Sequence, residues 1–455
     1  MNDLTPANAN RLAVGIARSR SLLYRDAEEI LRTLSVRVVA NQNCLSRVAG
    51  QSALLTVLNC AHRAFLGGVE LKMPAGIPSH LPLRGRAFID ELIPLTGCVP
   101  TSVNSPTLTI YLGGPDGDAK PDDILVHCDG WRGGVSDVGS PAAFANGDTD
   151  DFALGGILAG GIAVHRAFVR MLGLPARGLD GPSGLSLWNP QGDWLATINA
   201  PHLRNIPTRY WMLGLGHLGQ AFLWTLAMLP HPRPAEVEFL LNDFDRIDDA
   251  NFGSGLLCVP GAAGRKKTRH CATWLESLGF QATICERPFG SSTQRSEDEP
   301  GVAFCGFDRA EPRVELDQAG FGLVINAGLG GTLADFDQAD IHVFPNARYS
   351  AREIWQPQVG ITRTVDPTVA ALFVQGPQAC GQLAIDIAGK SVSTSFVGAM
   401  AGALSISELL RTFNRGTRFD EISFNARWMG DLATRPSTHP LTASAVGALG
   451  YADCY

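Results

Sequence analysis

The 455-residue chain is longer than one ordinary hydrophobic core supports, so two domains are expected. Hydrophobic residues at 45% and charged residues at 18% give the balance of a globular enzyme and exclude a disordered or fibrous chain. A net charge of -7 over this length argues against nucleic acid or an anionic membrane as the main partner.

The opening stretch MNDLTPANAN has no basic region followed by an apolar core, so no secretory signal is expected and a cytoplasmic location is. Two apolar stretches, 154–164 and 396–406, are too short to span a bilayer and read as buried helices. The ten cysteines are scattered without a C-x-x-C pair, so no structural zinc is expected, and most should be small buried hydrophobes.

In chain order, VRVVA (36–40) reads as a strand, 45–65 as a helix and VELKM (69–73) as a second strand. The turn after the first strand, NQNC, has no glycine to let the backbone approach a phosphate. LTIYL (108–112) and DILVH (123–127) are further strands, and 151–171 is an apolar helix whose His165 and Arg166 are expected to satisfy a helix end. This half reads as a nucleotide-binding fold without its nucleotide loop. The turn-rich stretch around 189–207 places the boundary, giving a first domain over 1–200 and a second over 201–455.

The second domain opens with YWMLGLGHLGQAF (210–222), a strand, a glycine-rich turn and a helix start, in which His217 reads as an exposed loop residue. Strands are expected at 237–242, 302–305, 323–326 and 341–344, with helices at 218–229 and 266–278. Alternation of this kind predicts an α/β fold in both halves, with a doubly wound, mostly parallel sheet.

Gly214-x-Gly216-x-x-Gly219 suits the phosphates of a dinucleotide or of ATP. Asp243, at the end of the next strand, suits a ribose in either case. Asn251 and Lys267 add an amide and a cation that a triphosphate needs and a dinucleotide does not. Asp308, after the third strand of this half, stands where a carboxylate can hold a magnesium ion, and Arg313 can orient its loop.

The run Gly214, Gly216, Gly219, Asp243-Phe244-Asp245, Asn251, Gly264-x-x-Lys267 and Asp308-x-x-x-x-Arg313 resembles the ubiquitin-activating-enzyme-like family of the ThiF/MoeB type, over roughly 210–413. The resemblance implies ATP in the glycine loop, ribose on Asp243, phosphates near Asn251 and Lys267, and magnesium on Asp308. Its partner would be a ubiquitin-like or sulfur-carrier protein ending in glycine, with a conjugating-type enzyme downstream. The chain could also form a homodimer. Two-halved members carry an inactive first half, which the loop-less 1–200 region resembles. Bacterial conjugation systems, including antiphage ones, are one setting for such a protein.

This sequence departs from the family pattern at Ser254, where an arginine is usual, and at Arg309, where an asparagine is usual. It also lacks the zinc knuckle. Arg265 or an arginine of RLAVGIARSR (11–20) is left to replace the missing charge. Cys380, near the start of the last helical region, is read either as the acyl acceptor, because a thiolate near a helix N-terminus is a better nucleophile, or as a buried structural thiol. Two alternatives stand beside this reading: an NAD-dependent oxidoreductase and an inactive adenylation-fold scaffold.

Overall fold

The computed structural model describes residues 4–83, 85–145, 150–175, 181–332, 334–361, 367–373, 385–387, 391–439 and 451–453. Short β-branched and aromatic runs bounded by turn residues set its strands. In the first half these are β1 (Val36–Ala40), β2 (Val69–Lys72), β3 (Leu108–Leu112), β4 (Ile124–Cys128), β5 (Arg132–Asp137) and β6 (Ser183–Ser186). They form a six-stranded sheet in the order β2-β1-β3-β4-β5-β6. Its first four strands are parallel, and β5 and β6 run antiparallel.

After β7 (Asn205–Pro207) come β8 (Arg209–Leu213), β9 (Glu238–Asn242), β10 (Gln281–Cys285), β11 (Val302–Cys305), β12 (Leu323–Leu329), β13 (Gln338–Phe344), β14 (Phe419–Asn425) and β15 (Ala433–Pro436). These eight strands, β8 to β15, make a sheet in the order β10-β9-β8-β11-β12-β13-β14-β15. It is parallel from β10 to β12 and antiparallel from there to β15. β16 (Tyr451–Asp453) pairs antiparallel with β7. The fold is thus α/β with two mostly parallel sheets, as the alternation predicts. Without the edge strands β10 and β15, the second sheet repeats the order and directions of the first.

The longer helices are α1 (Arg11–Arg20), α2 (Tyr24–Thr33), α3 (Val48–Ala64), α4 (Leu154–Met171), α5 (His217–Ala227), α6 (Lys267–Ser277) and α7 (Ser395–Phe413). Four of them, α3, α4, α5 and α7, pack together where the halves meet and bury the main core. α7 is long and apolar enough to cross a membrane, but 89% of its apolar window is buried inside the protein. A second core on the other face of the larger sheet gathers Trp211, Leu213, Phe289, Val314 and Trp355.

Polar groups buried at the junction tie the halves together. Arg63 on α3 is buried, and its guanidinium donates to the carbonyls of Phe252 at 2.5 Å, Leu256 at 3.2 Å and Cys258 at 2.9 Å in the second half. His165 does not close a helix end, as the local sequence suggested. It lies within α4, with Nε2 3.0 Å from Oδ2 of Asp337 in the other half. Arg427 donates to the same oxygen at 2.5 Å.

Burial also depresses several imidazoles: His62 to about 3, and His127, His217 and His231 to about 4. Unfolded, these side chains take up protons below about pH 6.5, whereas in the fold they stay neutral to much lower pH. Their contribution to stability is therefore complete above that value and lost as the pH falls from it toward 4. The melting temperature should drop between about pH 7 and pH 5, before carboxylates titrate. A flat profile in thermal melts across that window would contradict the buried-histidine account.

Candidate functional site

The end of β8 delivers the chain into the turn Gly214-Leu215-Gly216 and then α5. Gly214 has φ 82°, a left-handed conformation that favours glycine. A Cβ on Gly219 would lie 1.9 Å from the Gly214 carbonyl oxygen, so only glycine lets the helix start this close to the strand. A Cβ on Gly216 would meet nothing within 4 Å. No side chain caps the start of α5. Its first N–H groups and the positive end of its dipole therefore face an open crevice, the geometry that takes a phosphate.

Asp243, just past β9, fixes this turn. Its carboxylate accepts the Leu215 N–H at 2.7 Å and the Asp245 N–H at 2.8 Å. Asn242 steadies the strand end, its Nδ2 donating to the Arg287 carbonyl at 2.8 Å. Lys267 opens α6, its Nζ 2.9 Å from Oδ2 of Asp245. Burial works to lower the Lys267 pKa, but Asp243, Asp245 and Asp308 outweigh it and raise it above the ordinary ammonium value. The four side chains therefore share one electrostatic neighbourhood.

Asp308 follows β11 and is exposed. Phe307, before it, packs on the glycine turn: a Cβ on Gly214 would come within 3.1 Å of the Phe307 ring. Arg313 holds this second turn from beneath. Its guanidinium donates to the Phe307 carbonyl through Nε at 3.0 Å and also through a terminal nitrogen, and it lies 5.7 Å from the Trp355 ring centroid. Burial lowers its pKa, opposed by Cys305 and Asp308. Among the described residues no group of three or more His, Cys, Asp or Glu side chains forms a metal cage.

Asn251 sits in a single turn, Asp249–Gly253, where Oδ1 accepts the Asp248 N–H at 2.9 Å. Its amide nitrogen is the remaining donor. Ser254 is buried. The N-terminal segment packs onto this turn, with the Ala250 N–H donating to the Ala7 carbonyl at 2.6 Å. That contact brings in Arg11, the first residue of α1. Burial lowers the Arg11 pKa, with Asp248 opposing, and one guanidinium nitrogen is buried without a partner among the described residues. Arg265, the other candidate cation, is exposed.

His217 is not an exposed loop residue. It is the first residue of α5, and it packs so tightly under α7 that a Cβ on Gly398 would lie 2.3 Å from its Nε2. Cys380 lies outside the described residues. Cys258 and Cys305 are buried and their thiols are raised by burial, Cys305 to about 11, which makes them poor nucleophiles.

The first half shows a similar close approach between the turn after β1 and the helix that follows. A Cβ on Gly50 would lie 1.9 Å from the Cys44 carbonyl, the same close approach as Gly219 makes to Gly214. The crevice beside β1 holds the Asn41 side chain, which accepts the Cys44 N–H at 3.0 Å and donates to the Gly113 carbonyl. The start of α3 is capped by Asp151, whose two oxygens accept the N–H groups of Val48 at 2.7 Å and Ala49 at 3.0 Å. The sequence showed the missing glycines but not Asp151, whose only local signal is a carboxylate just ahead of an apolar helix.

Comparison with known families matches residues 35–187 to the BilD N-terminal domain and residues 206–416 to the BilD C-terminal domain. A curated relative, the bacterial E1-like protein BilD of Collimonas sp. (strain OK412), is 36% identical over 417 residues, covering 90% of this chain and 89% of its own. Among solved structures, E. coli MccB with ATP is a distant likeness at 12% identity and TM-score 0.34, covering 52% of this chain and 66% of that one. E. coli MccB with MccA-N7isoASN gives the same values. This chain thus spans just under two thirds of MccB.

Proposed function

The chain belongs to the BilD family of bacterial E1-like proteins, and from that premise we propose that it adenylates the C-terminal glycine of a ubiquitin-like or sulfur-carrier protein, using ATP and magnesium. What carries this reading is the uncapped start of α5, open above Gly216 and ringed by Lys267, Asp243, Asp245 and Asp308. Residues 201–455 act as the working half. Residues 1–200 act as its degenerate counterpart, a reading supported by Asn41 and Asp151 in the equivalent crevice.

The ATP phosphates lie over Gly214–Gly219. The ribose hydroxyls bond Asp243, whose oxygens each keep a further lone pair. Lys267 and the Asn251 amide nitrogen meet the phosphates, and Arg11 supplies the cation that Ser254 does not. Magnesium fits Asp308, because this ion is usually held by one or two carboxylates with phosphate oxygens and water completing its shell. When bound it supplies charge neutralisation for the triphosphate.

The partner's terminal carboxylate oxygen attacks the α-phosphorus. A new O–P bond forms, the bond to the β-phosphate oxygen breaks, and pyrophosphate departs. Lys267 stabilises the charge that builds on the phosphoryl oxygens. The Cys380 thiolate then attacks the acyl carbon, forming a thioester and releasing AMP, and a conjugating-type enzyme receives the acyl group.

Thermal shift and a non-reducing gel test this. ATP with magnesium should stabilise the protein, NAD should not, and Asp308→Ala should lose the magnesium-dependent part. Cys380→Ala should keep ATP–pyrophosphate exchange and lose any reductant-sensitive adduct with the small protein. Stabilisation by NAD alone would sink the adenylation reading. An adduct that survives in Cys380→Ala would move the acceptor to another cysteine.

A further inference from the structure

Building on the nucleotide assignment above, we infer that Ser393 is a further phosphate-facing residue of the second-half site. It occupies the position where the first half keeps a carboxylate of its own. The two halves can be matched through their glycines. Gly50 and Gly219 make the same 1.9 Å approach to a turn carbonyl, so Val48 and Ala49 correspond to His217 and Leu218. On the facing helices, a Cβ on Gly160 would press on Thr56 at 2.9 Å, and one on Gly402 would press on Thr225 at 3.0 Å. Thr56 and Thr225 each stand six residues after their turn glycine. The pairs α3–α4 and α5–α7 therefore cross at the same level.

Counting nine residues back from Gly160 reaches Asp151, and nine back from Gly402 reaches Ser393. Asp151 holds the N–H groups of Val48 and Ala49, whose counterparts are the first two N–H groups of α5. Direct contacts put the Ser393 segment there as well. Gly398, five residues on, closes over the His217 ring at the start of α5, where a Cβ on it would lie 2.3 Å from Nε2. On either side of Ser393, the Val392 N–H donates to the Gly331 carbonyl at 3.0 Å and Thr394 caps α7.

The chemistry at the two positions is opposite. At 151 an anionic side chain takes the helix donors and repels any incoming phosphate. At 393 a short neutral hydroxyl leaves the donors free and can itself donate to a phosphate oxygen. Together with Asn41 in the first-half crevice, this exchange of Asp151 for Ser393 separates a closed helix start from an open one, and a single nucleotide binds per pair of halves.

Calorimetric titration of the full chain with ATP in magnesium buffer tests the assignment through its sign. Ser393→Asp should weaken ATP binding by about 100-fold or more, by placing a charge against the phosphates within the first helical turn. Ser393→Asn, of the same shape without the charge, should stay within about threefold, and Ser393→Lys should bind several-fold tighter. If Ser393→Asp binds like wild type, this inference falls and the nucleotide assignment stands. If Ser393→Asp does not fold, a Ser393→Lys variant no tighter than wild type overturns it equally. Wild-type protein that binds no ATP removes the nucleotide assignment, and this inference with it.

Discussion

Lys267→Ala should cut ATP–pyrophosphate exchange by about 100- to 1000-fold while the protein melts normally, the size of loss seen when one donor to a developing charge is removed. The reasoning is electrostatic. Lys267 Nζ is the cation that Asp243, Asp245 and Asp308 share, and its side chain is only 12% exposed. Without it, three carboxylates face a triphosphate with only Arg11 and the start of α5 left to offset them. Helix α6 keeps its anchor, because the bond from Lys267 to the Asp245 carbonyl is made by the backbone at 3.1 Å. Lys267→Arg should retain part of the activity, since charge survives but the compact ammonium does not. Exchange within tenfold of wild type in Lys267→Ala would remove this residue from the chemistry.

Asp337→Ala should cost about 3–5 kcal/mol of stability, the range for removing one partner of a buried charged pair. The side chains of Asp337 and His165 are fully buried and Arg427 is nearly so, and the three span both halves. Alanine would remove the carboxylate that Arg427 and His165 share in the core. Burial alone would raise the Asp337 pKa, but its bonds to His165 and Arg427 outweigh that and lower it. A depressed carboxylate stabilises the fold above its unfolded value of about 4, and that contribution is lost as the pH falls below it. The gap between wild type and variant in urea unfolding should therefore be wide at pH 7 and narrow in strong acid. A difference below about 1 kcal/mol at pH 7 would contradict this picture of the junction.

Features that depend on nearby residues were legible in the sequence. β1, β3 and β11 fall on the runs VRVVA, LTIYL and VAFC, each apolar and flanked by turn residues. β5 was not legible, because RGGVSD carries two glycines and polar residues that weaken a strand pattern; it is a strand because α4 and β6 pack against it. At the candidate site, Asp243 and Asp245 just after β9, Lys267 at the start of α6 and Asp308 just after β11 come to share one neighbourhood.

What the sequence hid was long-range. Asp151 caps a helix that starts 103 residues earlier in the chain. His165 pairs with an aspartate 172 residues away, so a local reading could only assign it to a helix end. The arginine-bearing stretch 11–20 could be named as a source of charge, but only the packing of Ala7 against Ala250 singles out Arg11. His217 looked exposed because nothing near it in sequence announces the approach of α7.

The central claim is that the crevice over Gly214–Gly219 activates a carboxylate with ATP. Its most direct test is ATP–pyrophosphate exchange by the full chain with a small ubiquitin-like protein ending in glycine, compared with the same protein lacking that glycine. The account predicts magnesium-dependent exchange with the intact partner and none with the truncated one. Tight ATP binding with no exchange under any partner and magnesium condition would contradict it.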